Sequence, residues 1–206
     1  MGIASLPLEI QMILVPTILF ALTFHEYAHA RVAYLLGDYT SYYQNRMNLN
    51  PFNHLDPFGT FALYFLGFGW AKPVPVLMQN LKNPRSDMML IAMAGPASNM
   101  FLAFVASIIY RLNFYLQLSE EVIFPLEIFI QINIVLAIFN LLPLNPLDGS
   151  RILPLIVKDP RTLYNIEVYG PRILIGLIIL NLIGIPILST IILTPVSIIF
   201  HLLTGT

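Results

Sequence analysis

His25-Glu26-Tyr27-Ala28-His29 carry the first chemistry this sequence offers. On a helix, the i, i+4 spacing sets the two imidazoles on one face, with Cβ atoms about 6 Å apart. That separation suits two ligands of one tetrahedral zinc ion. Glu26, one position on, can reach a water held by the ion without ligating the ion itself. Zinc lowers the pKa of such a water to about 7. Glu26 can therefore act as general base and later return the proton to a leaving amine. The bland alternative is a chance pattern, or polar side chains packed between helices. The surroundings weigh against it, because unpaired His and Glu in an apolar span are costly.

A catalytic zinc keeps three protein ligands and one open position. The chain has no cysteine, so the third ligand must come from His, Asp or Glu. The stretch 140–151 holds Asn140, Pro143, Pro146, Asp148, Gly149 and Arg151. Asp148 is the candidate ligand; it could equally cap a following helix or open an Asp-Gly turn. Asn140 could donate to a developing oxyanion, or simply bond a neighbouring helix. Glu120, Glu121, Glu127 and Glu167 lie in no matching motif. His54, beside Asp56 in a polar turn, could approach the metal from a loop or stay a turn-bonded residue. Asn99 reads as interhelical glue, Lys72 as a snorkelling lysine, and His201 has no assigned role.

These residues need a membrane-embedded frame. Of 206 residues, 57% are hydrophobic and 10% charged, against about 25% charged in soluble domains. The net charge of −1 provides no basic field for nucleic acid. Four stretches are long and apolar enough to cross a bilayer: 9–36, 87–110, 122–142 and 172–193. A last apolar piece, 196–203, is too short to span and either lies on the surface or extends the fourth helix. Residues 37–86 form a connection with strand-like pieces near 39–50 and 72–78, and its glycine-rich run 57–70 reads as re-entrant or interfacial. Residues 143–171 form a proline-rich connection carrying the third ligand. The expected fold is an all-α polytopic membrane protein: about four transmembrane helices plus a small membrane-associated β element, residues 1–206 forming one metalloprotease core.

Charge sets the orientation. Arg46, Lys72, Lys82 and Arg85 occupy the first long connection, and Arg151, Lys158, Arg161 and Arg172 the second. The opposite side carries Arg111 with Glu9, Glu120, Glu121 and Glu127. By the positive-inside rule both long connections, and the β element with them, are cytoplasmic. The first ten residues, without Lys or Arg, do not read as a signal peptide.

With these motifs in order the chain resembles the site-2 proteases of peptidase family M50, in the compact bacterial and archaeal branch without PDZ or CBS domains. His25, Glu26 and His29 match the first family motif; Asn140, Pro143, Asp148 and Gly149 match the second. The chain departs from the second motif at Asn145, where the pattern has proline; Pro146 follows one place later. Segments 50–60, 69–76 and 94–99 also look like that branch. The resemblance implies one zinc ion per chain on His25, His29 and Asp148, with Glu26 as base and Asn140 on substrate or oxyanion. It also implies a cytoplasmic-facing site in the lipid bilayer and membrane-spanning protein substrates. An intramembrane metal transporter and a silent scaffold are the rival readings. A transporter needs ligands along a path, and a scaffold has no need of Glu26. The sequence names no substrate and sets no oligomeric state.

Overall fold

The computed structural model describes residues 2–205, and among them the regular structure is helical throughout. The principal helices are α1 (Leu8–Leu35), α2 (Pro57–Leu66), α3 (Pro84–Arg111), α4 (Glu120–Asn140), α5 (Pro160–Leu182) and α6 (Ile187–Thr204). All but α2 are long and apolar enough to cross a membrane, so the candidates number five where the sequence suggested four.

The difference lies at 183–186. The expected fourth span, 172–193, is interrupted by Gly184, whose φ of +92° few side chains tolerate, and by Pro186, which cannot continue a helix. Upstream, α5 begins at Pro160, inside what read as a loop. Asp159 caps it by accepting from the Arg161 and Thr162 amides, with proline at the first helical position. The apolar piece 196–203 is the second half of α6.

α5 and α6 follow one another along the bundle. Gly170 on α5 lies against Asn145 in the connection beyond α4. Further on, Ile178 shares a cavity with Leu136 and Phe139 of α4. After the break, Leu188 and Ile192 pack with Ile134 and Ile130 of α4. At the far end Arg111, last residue of α3, donates to the Leu202 and Leu203 carbonyls.

α1, α3 and α4 form the tight part of the bundle. Small residues line their contacts: Ala21, Ala30 and Ala33 on α1, Ala92 and Ala103 on α3, Ala137 on α4, each at most 1% exposed. Such residues allow the close helix approach on which packing in lipid relies.

The expected β element is absent among the described residues, where only an isolated bridge joins Leu55 and Ala71. Residues 40–43 are helical. Segment 70–77 builds no ladder, for a simple reason. Pro73 and Pro75 have no N–H, and the neighbouring amides go elsewhere: Lys72 to the His54 carbonyl, Val74 to Glu26, Leu77 to Asp38. Residues 57–70 fold back on themselves. Asp56 caps α2 at the Gly59 amide, and Gly67 ends it in the left-handed region. The returning chain passes so close that a Cβ on Gly59 would strike the Trp70 carbonyl. At its tip Tyr64 donates to Gln11 near the start of α1.

Candidate metal centre

Three side chains from two distant parts of the chain meet in one place. His25 and His29 lie one turn apart on α1, both buried. Asp148 enters from the connection after α4, where the chain doubles back so tightly that Gly149 has no room for a Cβ beside the Leu141 carbonyl. His25 Nε2 is 2.9 Å from His29 Nε2 and 3.1 Å from Asp148 Oδ2; His29 Nε2 is 3.2 Å from the same oxygen. Ligand atoms on a tetrahedral zinc stand about 3.3 Å apart, so this triangle has the right size.

The outer nitrogens show which way the imidazoles are protonated. His29 Nδ1 is 2.6 Å from the Ile91 carbonyl, which can only accept, so Nδ1 carries the proton. His25 Nδ1 is 2.6 Å from Asn99 Oδ1. The amide of Asn99 is oriented in turn: its Nδ2 donates to the Ala21 carbonyl and to Asn133 Oδ1, while Asn133 Nδ2 donates to the Phe129 carbonyl. Two backbone carbonyls thus dictate the direction of a chain running through Asn133 and Asn99, both fully buried, to His25. Both Nε2 atoms are left with lone pairs pointing at each other and at a carboxylate. Three converging lone-pair donors repel unless a cation lies among them, so the donor set fits a divalent ion.

Gly95 on α3 faces this triangle. A Cβ there would overlap Nε2 of both histidines, so glycine keeps the position open. Asn99 and Gly95 together, one turn apart on α3, are the features the motif reading underrated. Asn99 read as helix glue, which it is, but its Oδ1 also accepts from His25 Nδ1. The signal available was an Asn four places after a Gly in an otherwise apolar span.

A cavity of about 510 Å³ opens onto the triangle and is lined by Glu26, Trp70, Val74, Asn140 and Arg151, among others. Glu26 is 8% exposed, and its Oε2 accepts the Val74 amide at 3.0 Å. Arg46 sits against segment 70–77, buried, donating to the Lys72 and Pro73 carbonyls. Asn140 lines the cavity, but its Nδ2 donates to the Leu136 carbonyl of its own helix, leaving one N–H uncommitted. His54 does not reach the cavity. It is 1% exposed, bonds the Asn48 carbonyl through Nε2, and anchors the loop behind segment 70–77.

The model of the family described as peptidase family M50 matches residues 116–183, a stretch that includes Asn140 and Asp148. A Bacillus subtilis (strain 168) protein named "Putative zinc metalloprotease YwhC" is 45% identical over 153 residues, covering 71% of this chain and 70% of that protein. This chain belongs to peptidase family M50. No solved structure matches it. Membership in M50 and the multi-pass helical bundle agree with the resemblance that the two motifs carried, and zinc is the ion that a metalloprotease of this kind takes.

Proposed function

We propose that the chain is an intramembrane zinc metalloprotease that hydrolyses peptide bonds in or near the transmembrane segments of membrane-anchored proteins. One observation carries the reading: His25 Nε2, His29 Nε2 and Asp148 Oδ2 converge within 2.9–3.2 Å beside a cavity that also holds Glu26. His25, His29 and Asp148 hold one zinc ion per chain. When bound, the ion supplies a Lewis acid that acidifies water and polarises a carbonyl.

The protein's own groups do the rest. Glu26 takes the proton of the attacking water and delivers it to the departing amine. The Val74 amide fixes one Glu26 oxygen and leaves the other toward the cavity. Asn140 offers its uncommitted N–H to the carbonyl oxygen as charge builds there. Asn99 and Asn133 keep His25 in the tautomer whose Nε2 faces the metal.

The substrate is a membrane-spanning segment that must unwind, because a helix hides its carbonyls in the i→i−4 ladder. The Lys and Arg of both long connections support an opening toward the cytoplasm. α5 and α6, lying in tandem, act as one interrupted crossing. The chain then forms a single core with four traverses, in which 37–86 is a re-entrant connection and 143–171 delivers the third ligand.

Glu26→Gln tests the base. Purified in detergent, this variant should keep one zinc per chain and lose cleavage of a transmembrane peptide by more than a hundredfold. Cleavage at the wild-type rate would remove Glu26 from the mechanism.

A further inference from the structure

A second cavity, of about 420 Å³, adjoins the first. The two share Phe68, Gly69, Leu136, Phe139 and Ile178. The rings of Phe68 and Phe139 meet edge to face at 6.1 Å across that seam. None of residues 143–171 lines the second cavity, whereas the run 57–70 of the first connection forms one of its walls. Its wall includes Leu63 and Leu66 of α2, and between them Tyr64 bonds Gln11, roughly 20 Å along α1 from His25. Its other walls are Val135 of α4 and the broken turn between α5 and α6, with Leu182, Leu188 and Ile192.

Two polar side chains, Asn181 and Ser189, interrupt this apolar lining. Asn181 accepts the Ser189 amide and the Ser189 hydroxyl through Oδ1. A backbone amide can only donate, so the orientation of the Asn181 amide is settled. Its Nδ2 then has no acceptor among the described residues, beside a cavity that Asn181 lines. A helix break and an uncommitted donor at membrane depth are costly unless they line protein or a wet cavity. A chain with unpaired carbonyls is what such a donor would receive.

We propose that this cavity is a substrate subsite, holding the stretch of unwound substrate that continues from the scissile bond into the membrane. Apolar side chains of that stretch occupy the space behind the Phe68–Phe139 seam, and Asn181 Nδ2 donates to one of its backbone carbonyls. The subsite rests on the protease reading above and names the part of the substrate that the cleft alone does not hold. It also gives the break at 183–186 a function: continuous helix there would bury the Asn181 side chain against its own turn and close the space.

The chain has no cysteine, which makes single-cysteine cross-linking clean. The probe is a synthetic leucine–alanine transmembrane peptide with one Asn-Gly-Pro break, carrying a single cysteine at successive positions on either side of the break. The zinc-loaded full chain carries Glu26→Gln, to retain the peptide, and either Leu182→Cys in the second cavity or Trp70→Cys in the first. Leu182→Cys should form disulfides with peptide cysteines on the membrane-embedded side of the break and with none on the aqueous side. Cross-links only from the aqueous side would overturn the subsite. So would none at Leu182→Cys while Trp70→Cys reacts and wild type cleaves. If wild type leaves the peptide intact and Trp70→Cys fails as well, the protease reading falls and the subsite with it.

Kinetics give a second reading. Asn181→Leu should lower kcat/KM for this peptide relative to that for a short peptide ending at the cut by about 3–10-fold, chiefly through KM, as for a lost hydrogen bond. Zinc content serves as the check on folding. An unchanged ratio with intact zinc content would remove Asn181 from the subsite. Leu202→Trp, on the lipid-facing side of α6 at 70% exposure, should leave the ratio at the wild-type value. A fall there equal to that of Asn181→Leu would overturn the assignment.

Discussion

Helix α3 buries 39% of its most apolar stretch inside the protein and helix α5 buries 11%, although both line the same cleft. α3 is the metal-side wall. Its small residues let α1 approach, and its one Asn is spent on His25. α5 is the opposite wall, with only Gly170 and Leu174 buried along its length. Metal ligands need rotamers held to within a few tenths of an ångström, which takes packing on every side. A wall that must admit a second polypeptide chain cannot be packed in advance.

The comparison is broken most severely at Gly95. Gly95→Ala places a methyl group where both Nε2 atoms lie, so zinc content should drop to near zero while α3 stays helical. Metal analysis with circular dichroism checks both halves, and full zinc occupancy would mean that the wall is softer than its burial implies. Asn99→Leu comes next: it leaves His25 Nδ1 unpaired and should weaken zinc binding by about 10–100-fold, read by chelator competition. Asn133→Leu, one bond further out, should act in the same direction and less.

A third test falls on the strap that carries Val74. Burial would raise the Asp38 carboxyl, but hydrogen bonds from Thr40, Asn80 and the Leu77 and Thr40 amides outweigh it and hold it below its ordinary value of 3.8. The folded form therefore favours the ionised group, and the stabilisation is present above pH 3.8 and lost as pH falls through and below that value. Limited proteolysis should cut the 37–83 connection faster below that pH, and Asp38→Asn should show the faster cutting already at neutral pH. The smallest effect is expected on α5. Ile179→Ala, at 52% exposure, should change stability by no more than about 0.5 kcal/mol and leave zinc binding unaltered.

How much could be read without coordinates follows the range of the interaction. The pair His25 and His29 was legible because helical spacing alone puts them on one face. α1, α3 and α4 were legible to within a few residues because their apolar stretches exceed the bilayer thickness. The fourth span was misread at both ends. Asp159-Pro160 is a local start signal that was overlooked inside a proline-rich stretch, and Gly184 with Pro186 a local stop signal hidden in an apolar one. The β element was misread because residues 70–77 carry aromatic and β-branched side chains as a strand would; what they lack is a partner strand, since Glu26 of α1 and Asp38 take the Val74 and Leu77 amides. His54 could not be placed from sequence, as a turn histidine faces outward or inward depending on what packs over it.

Composition, apolar length and the i, i+4 histidines determined, from sequence alone, a membrane bundle with half a metal site on its first helix. The second motif had already named Asp148; only tertiary structure brings its carboxylate within 3.2 Å of both imidazoles, sets Asn99 against His25 Nδ1 and leaves residue 95 no room for a side chain. Asp148 lies 123 positions from His25 and Asn99 lies 74. Spacing rules reach about one helical turn; across longer separations only the packing of whole helices determines which side chains meet.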